Sequence, residues 1–320
     1  MVDLAIGQLA DIVDGRLRLG SLPPLGGELE PVGRIVTEAA RVGPGDVYWS
    51  VDHYATNFSE HVFFQGAAGV VAAGRHIEPW AGKFSVQVHE ANDALWQLAA
   101  WGRSRFAGTV IAVAGRDAAR TSAIIRHVLG SRMEMTPAPA IIRQPAQVAV
   151  DVLDLDPHAD CGLCPHIDTD DAGISRSISL VQPHVMVCTE RALVGTLPAL
   201  PDDAAVIVLG DERVHGDNRT MHHAVHSEGA GDLIWVGQDA DHDFKASDIQ
   251  SSAESLTFRI EDQTIAVRGG SPSDVPAVLA AFAVGRLLGL DNRDILSGLW
   301  SASTETNCSR RAASSAAMPR

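Results

Sequence analysis

Residues 114–122 contain the residue types best suited to bind phosphate. They follow a short apolar run and combine a glycine with two arginines and two adjacent hydroxyl residues, namely Gly115, Arg116, Arg120, Thr121 and Ser122. A phosphate-binding loop uses glycines to bring backbone N–H groups to the phosphates, a lysine for the outer phosphates and a Ser or Thr hydroxyl for Mg²⁺. This stretch therefore predicts a loop of that type that has lost several of its parts.

Two alignments of the stretch with a functional loop are open. Without a gap, Ala118 replaces the second glycine, Ala119 replaces the lysine and Arg120 replaces the magnesium hydroxyl. A shift of one residue places Arg120 at the lysine and Thr121 beside it, but Ala119 then replaces the glycine. In both, Asp117 puts a carboxylate into a loop meant for an anion. We expect the loop to be impaired in ATP binding, and the alternative is a strand–turn–helix with no ligand.

Two groups of residues have metal-ligating side chains. His158, Cys161, Cys164 and His166 could suit tetrahedral zinc, but four ligands within nine residues are geometrically tight and no second Cys-x₂-Cys follows. A polar loop with free thiols is the favoured interpretation. An i, i+4 histidine pair is available among His222, His223 and His226 if they are helical. They lack the acidic partner of an H-E-x-x-H motif, so a solvated helix face is favoured there.

The predicted strands and helices that position these residues indicate an α/β protein. Residues 47–49 and 84–88 predict strands, 66–72 predict a helix end that runs into a buried strand, and 91–101 predict a helix. A continuous apolar run at 110–114, typical of a parallel strand buried on both faces, precedes a helix at about 121–129. Further strands are predicted at 148–153, 185–188, 205–209 and 233–236, a polar surface loop at 239–255, and helices at 276–289 and 293–300. The fold class is a small N-terminal α/β domain followed by a P-loop-type domain with a largely parallel sheet.

Composition excludes several functional classes. The 320-residue chain has a formal net charge of −15, which argues against a nucleic-acid surface. It has no apolar run long enough to span a membrane and no signal peptide, so we expect a cytoplasmic protein. Four cysteines are too few and too unevenly spaced for a disulfide framework.

The order of these signals resembles the Mur ligases, and most closely the branch that adds D-alanyl-D-alanine to the UDP-muramoyl tripeptide. Residues 37–49 keep the family's Pro-Gly-Asp turn and aromatic strand but not its Asp-Ser-Arg, and 63–72 resemble the next motif. Residues 111–122 resemble IAITGxxGKTT, and 182–190 resemble the strand that ends in Thr-Asn. Residues 279–290 resemble the late helix, but 270–274 replace the His-Asn pair before it. The resemblance covers roughly residues 3–300.

The resemblance implies a domain order, a cofactor and a substrate. Residues 1–106 would be the UDP-substrate-type domain and 107–300 the ATPase-type domain, with a disordered tail at 301–320 and no room for the family's third domain. ATP and Mg²⁺ would be the cofactors, with Thr121 and Asp154 as metal ligands; the alternative for Asp154 is a capping or loop aspartate. A UDP-linked muramoyl peptide would be the substrate, and its pyrophosphate would meet basic side chains of the first domain, namely Arg34, Arg41 and Lys83.

Three functional hypotheses follow. The favoured one is a catalytically impaired Mur-ligase-like protein that binds or scaffolds, because the losses fall together on chemistry-bearing positions. The second is an active ATP-dependent ligase in which Arg120 replaces the lysine and a partner chain supplies the missing domain. The third is an unrelated α/β binding protein.

Overall fold

The computed structural model of the chain describes residues 4–22, 24–51, 61–74, 76–137, 146–167, 170–198, 200–210, 232–238, 242–252 and 254–301. The chain divides into two compact units. The first comprises Met1–Ala107 and Ile142–His158, and the second comprises Gly108–Ile141 and Ala159–Arg320. The first unit therefore includes a segment that follows the first strand and helix of the second unit in sequence.

The helices and strands of the described residues are numbered here in chain order. The helices are α1 (Ile6–Ile12), α2 (Ala91–Arg103), α3 (Ala118–Leu129), α4 (Gln147–Leu153), α5 (Asp171–Val181), α6 (Val275–Leu287) and α7 (292–301). The strands are β1 (Arg16–Leu19), β2 (Ile35–Val36), β3 (Val47–Ser50), β4 (Gly69–Ala73), β5 (Phe84–Val88), β6 (Thr109–Ala114), β7 (Cys161–Ile167), β8 (Val185–Cys188), β9 (Ala205–Leu209), β10 (Leu233–Gly237), β11 (Phe244–Ser251), β12 (Ser255–Ile260) and β13 (Gln263–Arg268).

In the first unit the described strands form a five-stranded sheet in the order β1-β5-β4-β3-β2. β1 is antiparallel to β5, and the other neighbours are parallel. The apolar runs predicted as strands are confirmed as β3, β4 and β5, and the predicted helix is confirmed as α2. The buried indole of Trp49 on β3 donates a hydrogen bond to the carbonyl of Ala91 at 2.7 Å, which fixes the start of α2 against the sheet.

In the second unit the described strands form an eight-stranded sheet in the order β13-β12-β11-β10-β9-β8-β6-β7. The strands from β7 to β11 in this order pair in parallel, and β11, β12 and β13 pair antiparallel. The expected α/β class with a largely parallel sheet is confirmed. α6 is buried along most of its length and packs against α3 and the sheet. Pro276 lies in its first turn, where a missing N–H costs little.

Two of the predicted elements are wrong. Residues 148–153, predicted as a strand, lie in helix α4, all seven residues of which are buried. A short apolar run buried on all sides has no periodicity that separates strand from helix, so the sequence pattern was ambiguous. The polar segment predicted as a loop at 239–255 contains strand β11, because pairing with β10 and β12 satisfies its backbone hydrogen bonds although most of its side chains are solvated.

Two further features complete the fold. Helix α3 begins at Ala118, three residues before the predicted start, so the candidate loop is shorter than expected. Among the described residues, none of the helices is both long and apolar enough to cross a bilayer.

Candidate functional site

The candidate loop lies where the chain order of the second sheet reverses. Strand β6 pairs with β7 on one side and with β8 on the other. Ligands of open α/β sheets bind in the crevice at the carboxyl ends of strands at such a switch point. The residues that follow β6 and β8, Gly115–Asp117 and Thr189–Glu190, therefore stand at the expected position of a ligand site.

Gly115 makes the turn out of β6 in a conformation that requires glycine. Its φ is +106°, and a Cβ at this position would overlap the Oγ1 of Thr189. The backbone amide of Thr189 donates to the carbonyl of Ala114 at 2.9 Å, which holds the end of β8 against the loop. The close approach of the two segments thus depends on the missing side chain of Gly115.

The loop amides are hydrogen-bonded to side chains of the same unit. The amide of Arg116 donates to Oε1 of Glu190 at 3.0 Å, and the amide of Asp117 donates to Oγ1 of Thr189 at 3.4 Å. The guanidinium of Arg116 also forms an ion pair with Glu190, with Nε and Oε1 3.5 Å apart. A carboxylate of the protein therefore occupies the position of an anion at the start of α3.

The second arginine of the loop is also paired. Arg120 in the first turn of α3 forms an ion pair with Asp274, whose side chain is only 7% exposed. Asp274 also accepts a hydrogen bond from the backbone amide of Ser271 at 2.7 Å. The ion pair thus links the beginning of α3 to the turn that precedes α6.

The other predicted loop residues differ in exposure. Ala118 is buried at the start of α3, and Ala119 is exposed and offers no charge where a lysine would be needed. The side chains of Thr121 and Ser122 are buried, and their hydroxyls have no hydrogen-bond partner among the described residues. Arg116, 87% exposed, is the most open cation of the loop.

Asp154, the other predicted metal ligand, belongs to the first unit. It forms the C-cap of α4, so it ends a helix and not the predicted strand. Burial, together with the nearby carboxylate of Asp151, raises the pKa of Asp154 to about 6, although the charge of Arg34 opposes the shift. Thr121 lies in the second unit.

The basic residues predicted to meet a pyrophosphate all lie in the first unit. Arg34 donates two hydrogen bonds to Asp46, at 2.8 and 3.3 Å, and is already neutralised by it. Lys83 donates to the carbonyl of Gly66 at 3.4 Å, and Arg41 ends an exposed 3₁₀ turn. Arg41 and Lys83 therefore keep the more available charges.

The Cys/His segment is not the polar loop that was favoured. Cys161 and Cys164 lie in β7, where both side chains are buried. Side chains three residues apart along a strand point to opposite faces, which separates the two sulfurs. Burial raises the pKa of Cys161 to about 12, so its thiol is a poor metal ligand.

The other predicted metal ligands are histidines. His158 is exposed in the turn before β7. The side chain of His166 and the three residues His222, His223 and His226 lie outside the described part of the chain. Within that part, no group of three or more His, Cys, Asp or Glu side chains is arranged to hold a metal ion.

Comparison with solved structures identifies this architecture. The chain resembles the UDP-N-acetylmuramoylalanyl-D-glutamyl-2,6-diaminopimelate--D-alanyl-D-alanyl ligase from Acinetobacter baumannii, with a TM-score of 0.72 over 93% of this chain and 68% of that chain, at 19% identity. The chain has the Mur-ligase fold. The hypothesis of an unrelated α/β fold is therefore wrong.

Other structures agree with the Mur-ligase fold. The MurF ligase from Thermotoga maritima, solved in complex with ADP, has a TM-score of 0.63 at 16% identity, over 83% of this chain and 66% of that chain. A UDP-N-acetylmuramoyl-L-alanyl-D-glutamate--2,6-diaminopimelate ligase has a TM-score of 0.51 at 13% identity, over 94% and 67%. No protein-family model matches the sequence, and no curated protein matches it significantly.

Two acidic residues beside the candidate loop were not predicted as site residues. Glu190 and Asp274 pair with the two arginines of the loop. Both lie in segments whose departure from the family pattern is visible in the sequence, since Glu190 replaces the asparagine of Thr-Asn and Asp274 ends the stretch that replaces His-Asn. The signal was a gain of negative charge at two positions where the resemblance predicted neutral or basic residues.

Proposed function

We propose that this chain is a Mur-ligase-like protein that has lost ATP-dependent ligation and acts by binding, because its own carboxylates close the phosphate loop. The observation that carries the proposal is the hydrogen bond from the loop amide of Arg116 to the carboxylate of Glu190. An amide that already binds an internal anion is not available to a phosphate.

Opening this loop has an energetic cost. A hydrogen bond to a charged group contributes about 1.5–3 kcal/mol, and a phosphate entering beside Glu190 would meet a like charge as well. Position 119 supplies no cation to offset that repulsion. The hydroxyl of Thr121 is buried, so a magnesium ion would need a rearrangement of α3 to reach it. The residues present therefore do not fit magnesium-bound ATP.

One observation favours the alternative of an active ligase. The neighbour from Thermotoga maritima was solved with ADP. On this alternative ATP and Mg²⁺ are cofactors, Thr121 and Asp154 hold the metal, a partner chain completes the site and a UDP-linked muramoyl peptide is the substrate. Arg120 would have to act as the lysine, but it is paired with Asp274. We therefore favour the non-catalytic function, in the cytoplasm.

The test is thermal unfolding of the purified chain with and without millimolar Mg-ATP, with MgCl₂ alone as the control. A ligand at a hundred times its dissociation constant adds about 2.7 kcal/mol to the stability of the folded state. We expect no change in Tm. A magnesium-dependent rise of several degrees would contradict the proposal and support the active ligase.

A further inference from the structure

Several large apolar side chains of the first unit are exposed to solvent. Five large apolar side chains stand out of it, and together they are called here the leucine–aromatic surface: Leu22, Leu25, Leu29, Phe64 and Trp80. Leu25 is fully exposed, Leu29 is 84% exposed and Phe64 is 74% exposed. Scattered apolar side chains are ordinary, but a contiguous group on one domain marks an interaction site.

The members of this surface are joined by contacts. The amide of Gly82 donates to the carbonyl of Leu22, so the leucine segment runs beside the residues that follow Trp80. The rings of Phe64 and Trp80 meet edge to face with their centroids 4.4 Å apart. Leu22 therefore lies beside the segment that follows Trp80, and Phe64 packs against Trp80.

A cavity of about 280 Å³ lies in the same unit, and its lining includes Pro24 and Glu30, the sequence neighbours of Leu25 and Leu29. It is lined mainly by apolar side chains and glycine backbone, including Pro24, Glu30, Val32, Gly45, Gly82 and Phe84. Its volume is below the ~300–1,000 Å³ of typical small-molecule pockets. A cavity of this size beside exposed apolar side chains is suited to one anchoring side chain of a partner, as at protein interfaces.

The charge around the cavity selects the class of partner. Glu28 and Glu30 flank Leu29, and Glu30 is the charged residue among those lining the cavity. Of the nearby cations, Arg18 pairs with Glu78 at 3.5 Å, and Lys83 donates to the carbonyl of Gly66 at 3.4 Å but keeps its charge. With a net charge of −15, a second copy of the chain would bring acid against acid. A basic partner is complementary both to the glutamates beside the cavity and to the negative net charge of the chain.

We propose that the leucine–aromatic surface is a docking site for a partner protein that inserts an apolar anchor side chain, flanked by lysine or arginine, into the cavity beside Glu30. The proposal goes beyond the closed phosphate loop and does not depend on it, because all of these residues belong to the first unit. The result of the Mg-ATP experiment, whichever way it falls, therefore does not decide this proposal.

The experiment selects phage-displayed random peptides on the full chain, with counter-selection on a Leu25→Ser/Leu29→Ser variant. The consensus peptide is then synthesised, labelled and measured by fluorescence anisotropy. We expect an apolar anchor with neighbouring Lys or Arg, and an affinity at least about tenfold weaker for the double variant. Leu287→Ser, which alters an exposed leucine of the second unit, is the matched control and should not change the affinity.

A second variant tests the charge. The double variant Glu28→Gln/Glu30→Gln keeps an acceptor oxygen for the amide of Gly26, which donates to the carboxylate of Glu30 at 2.8 Å. It should lower the affinity for the peptide and reduce the salt dependence of binding. Failure to enrich any peptide, an acidic consensus or equal binding to the Leu25→Ser/Leu29→Ser variant would overturn the proposal. Self-association abolished by that variant would assign the surface to a second copy, and displacement of the peptide by free UDP would assign the cavity to a nucleotide.

Discussion

The carboxylate of Glu190 accepts a hydrogen bond from the backbone amide of Arg116 at 3.0 Å, although the two residues are 74 positions apart in the chain. The contact joins the carboxyl ends of β6 and β8, where α/β proteins bind anionic ligands. The loop therefore retains the geometry that binds an anion, and the anion is part of the protein. Whether a nucleotide can enter is decided by how easily this carboxylate is displaced.

Removing the internal anion and restoring the missing cation should reopen the loop. We expect Glu190→Gln combined with Ala119→Lys to bind Mg-ATP, because the like charge is removed and a lysine stands in the first turn of α3. Isothermal titration calorimetry and the Tm shift with Mg-ATP measure this gain against the parent chain.

The control places the same new charge one turn away. Ala123 is also an exposed alanine of α3, so Glu190→Gln with Ala123→Lys has the same net charge but no cation at the loop. It should bind Mg-ATP no better than Glu190→Gln alone. If both double variants gained the same affinity, net charge and not loop geometry would be responsible.

The ion pair between Arg120 and Asp274 should contribute to folding stability. Because Asp274 is nearly buried, Arg120→Met leaves a carboxylate without its cation and should cost about 3 kcal/mol of the free energy of unfolding. Adding Asp274→Asn should recover part of that loss. Urea unfolding of the four proteins of this double-mutant cycle gives the coupling energy, and additive effects would show that the pair is not coupled.

Gly115→Ala should destabilise the chain more than an alanine at an ordinary glycine. A positive φ and overlap with Thr189 both oppose the new side chain, and backbone strain of this kind costs about 1–3 kcal/mol. Gly195→Ala is the control, since nothing lies within 4 Å of a Cβ there. Added to Gly115→Ala, Thr189→Ala should relieve the overlap but not the backbone strain, and so recover part of the lost stability. Equal free energies of unfolding of Gly115→Ala and Gly195→Ala in urea would refute this account.

Asp154 should make the stability of the folded state depend on pH. Its pKa is raised by burial to about 6, above the ordinary value of 3.8, so the folded state binds the proton more tightly than the unfolded state. The stability from this protonation is complete below about pH 4 and is lost as the pH rises through about 6.

Asp154→Asn should therefore raise the free energy of unfolding at pH 7 relative to the parent and flatten its profile between pH 4 and 6. The gain should be at most about 3 kcal/mol. Asp11→Asn, which removes a charge from the exposed face of α1 in the same unit, is the control. An unchanged profile for Asp154→Asn in urea titrations across this range would contradict the predicted role of burial.

Much of the fold could be read from the sequence because its signals are local. The apolar run at 110–114 and the segment at 276–289 both predicted the observed elements, β6 and α6. The prediction failed where contacts with other elements determine the secondary structure. Helix α4 is buried on all sides, so its sequence shows no helical period of apolar residues, and the polar strand β11 is held by its pairing with β10 and β12.

The candidate site divides in the same way. The losses at Ala118 and Ala119 are visible in the sequence, since a missing glycine or lysine removes a known interaction wherever it occurs. The sequence by itself thus determined the fold class and predicted a phosphate loop without its second glycine and its lysine. Only the tertiary structure decided which charged groups meet at the loop, because Glu190 and Asp274 approach it from the ends of other elements, and charges distant in sequence interact only after the sheet and α6 have brought them together.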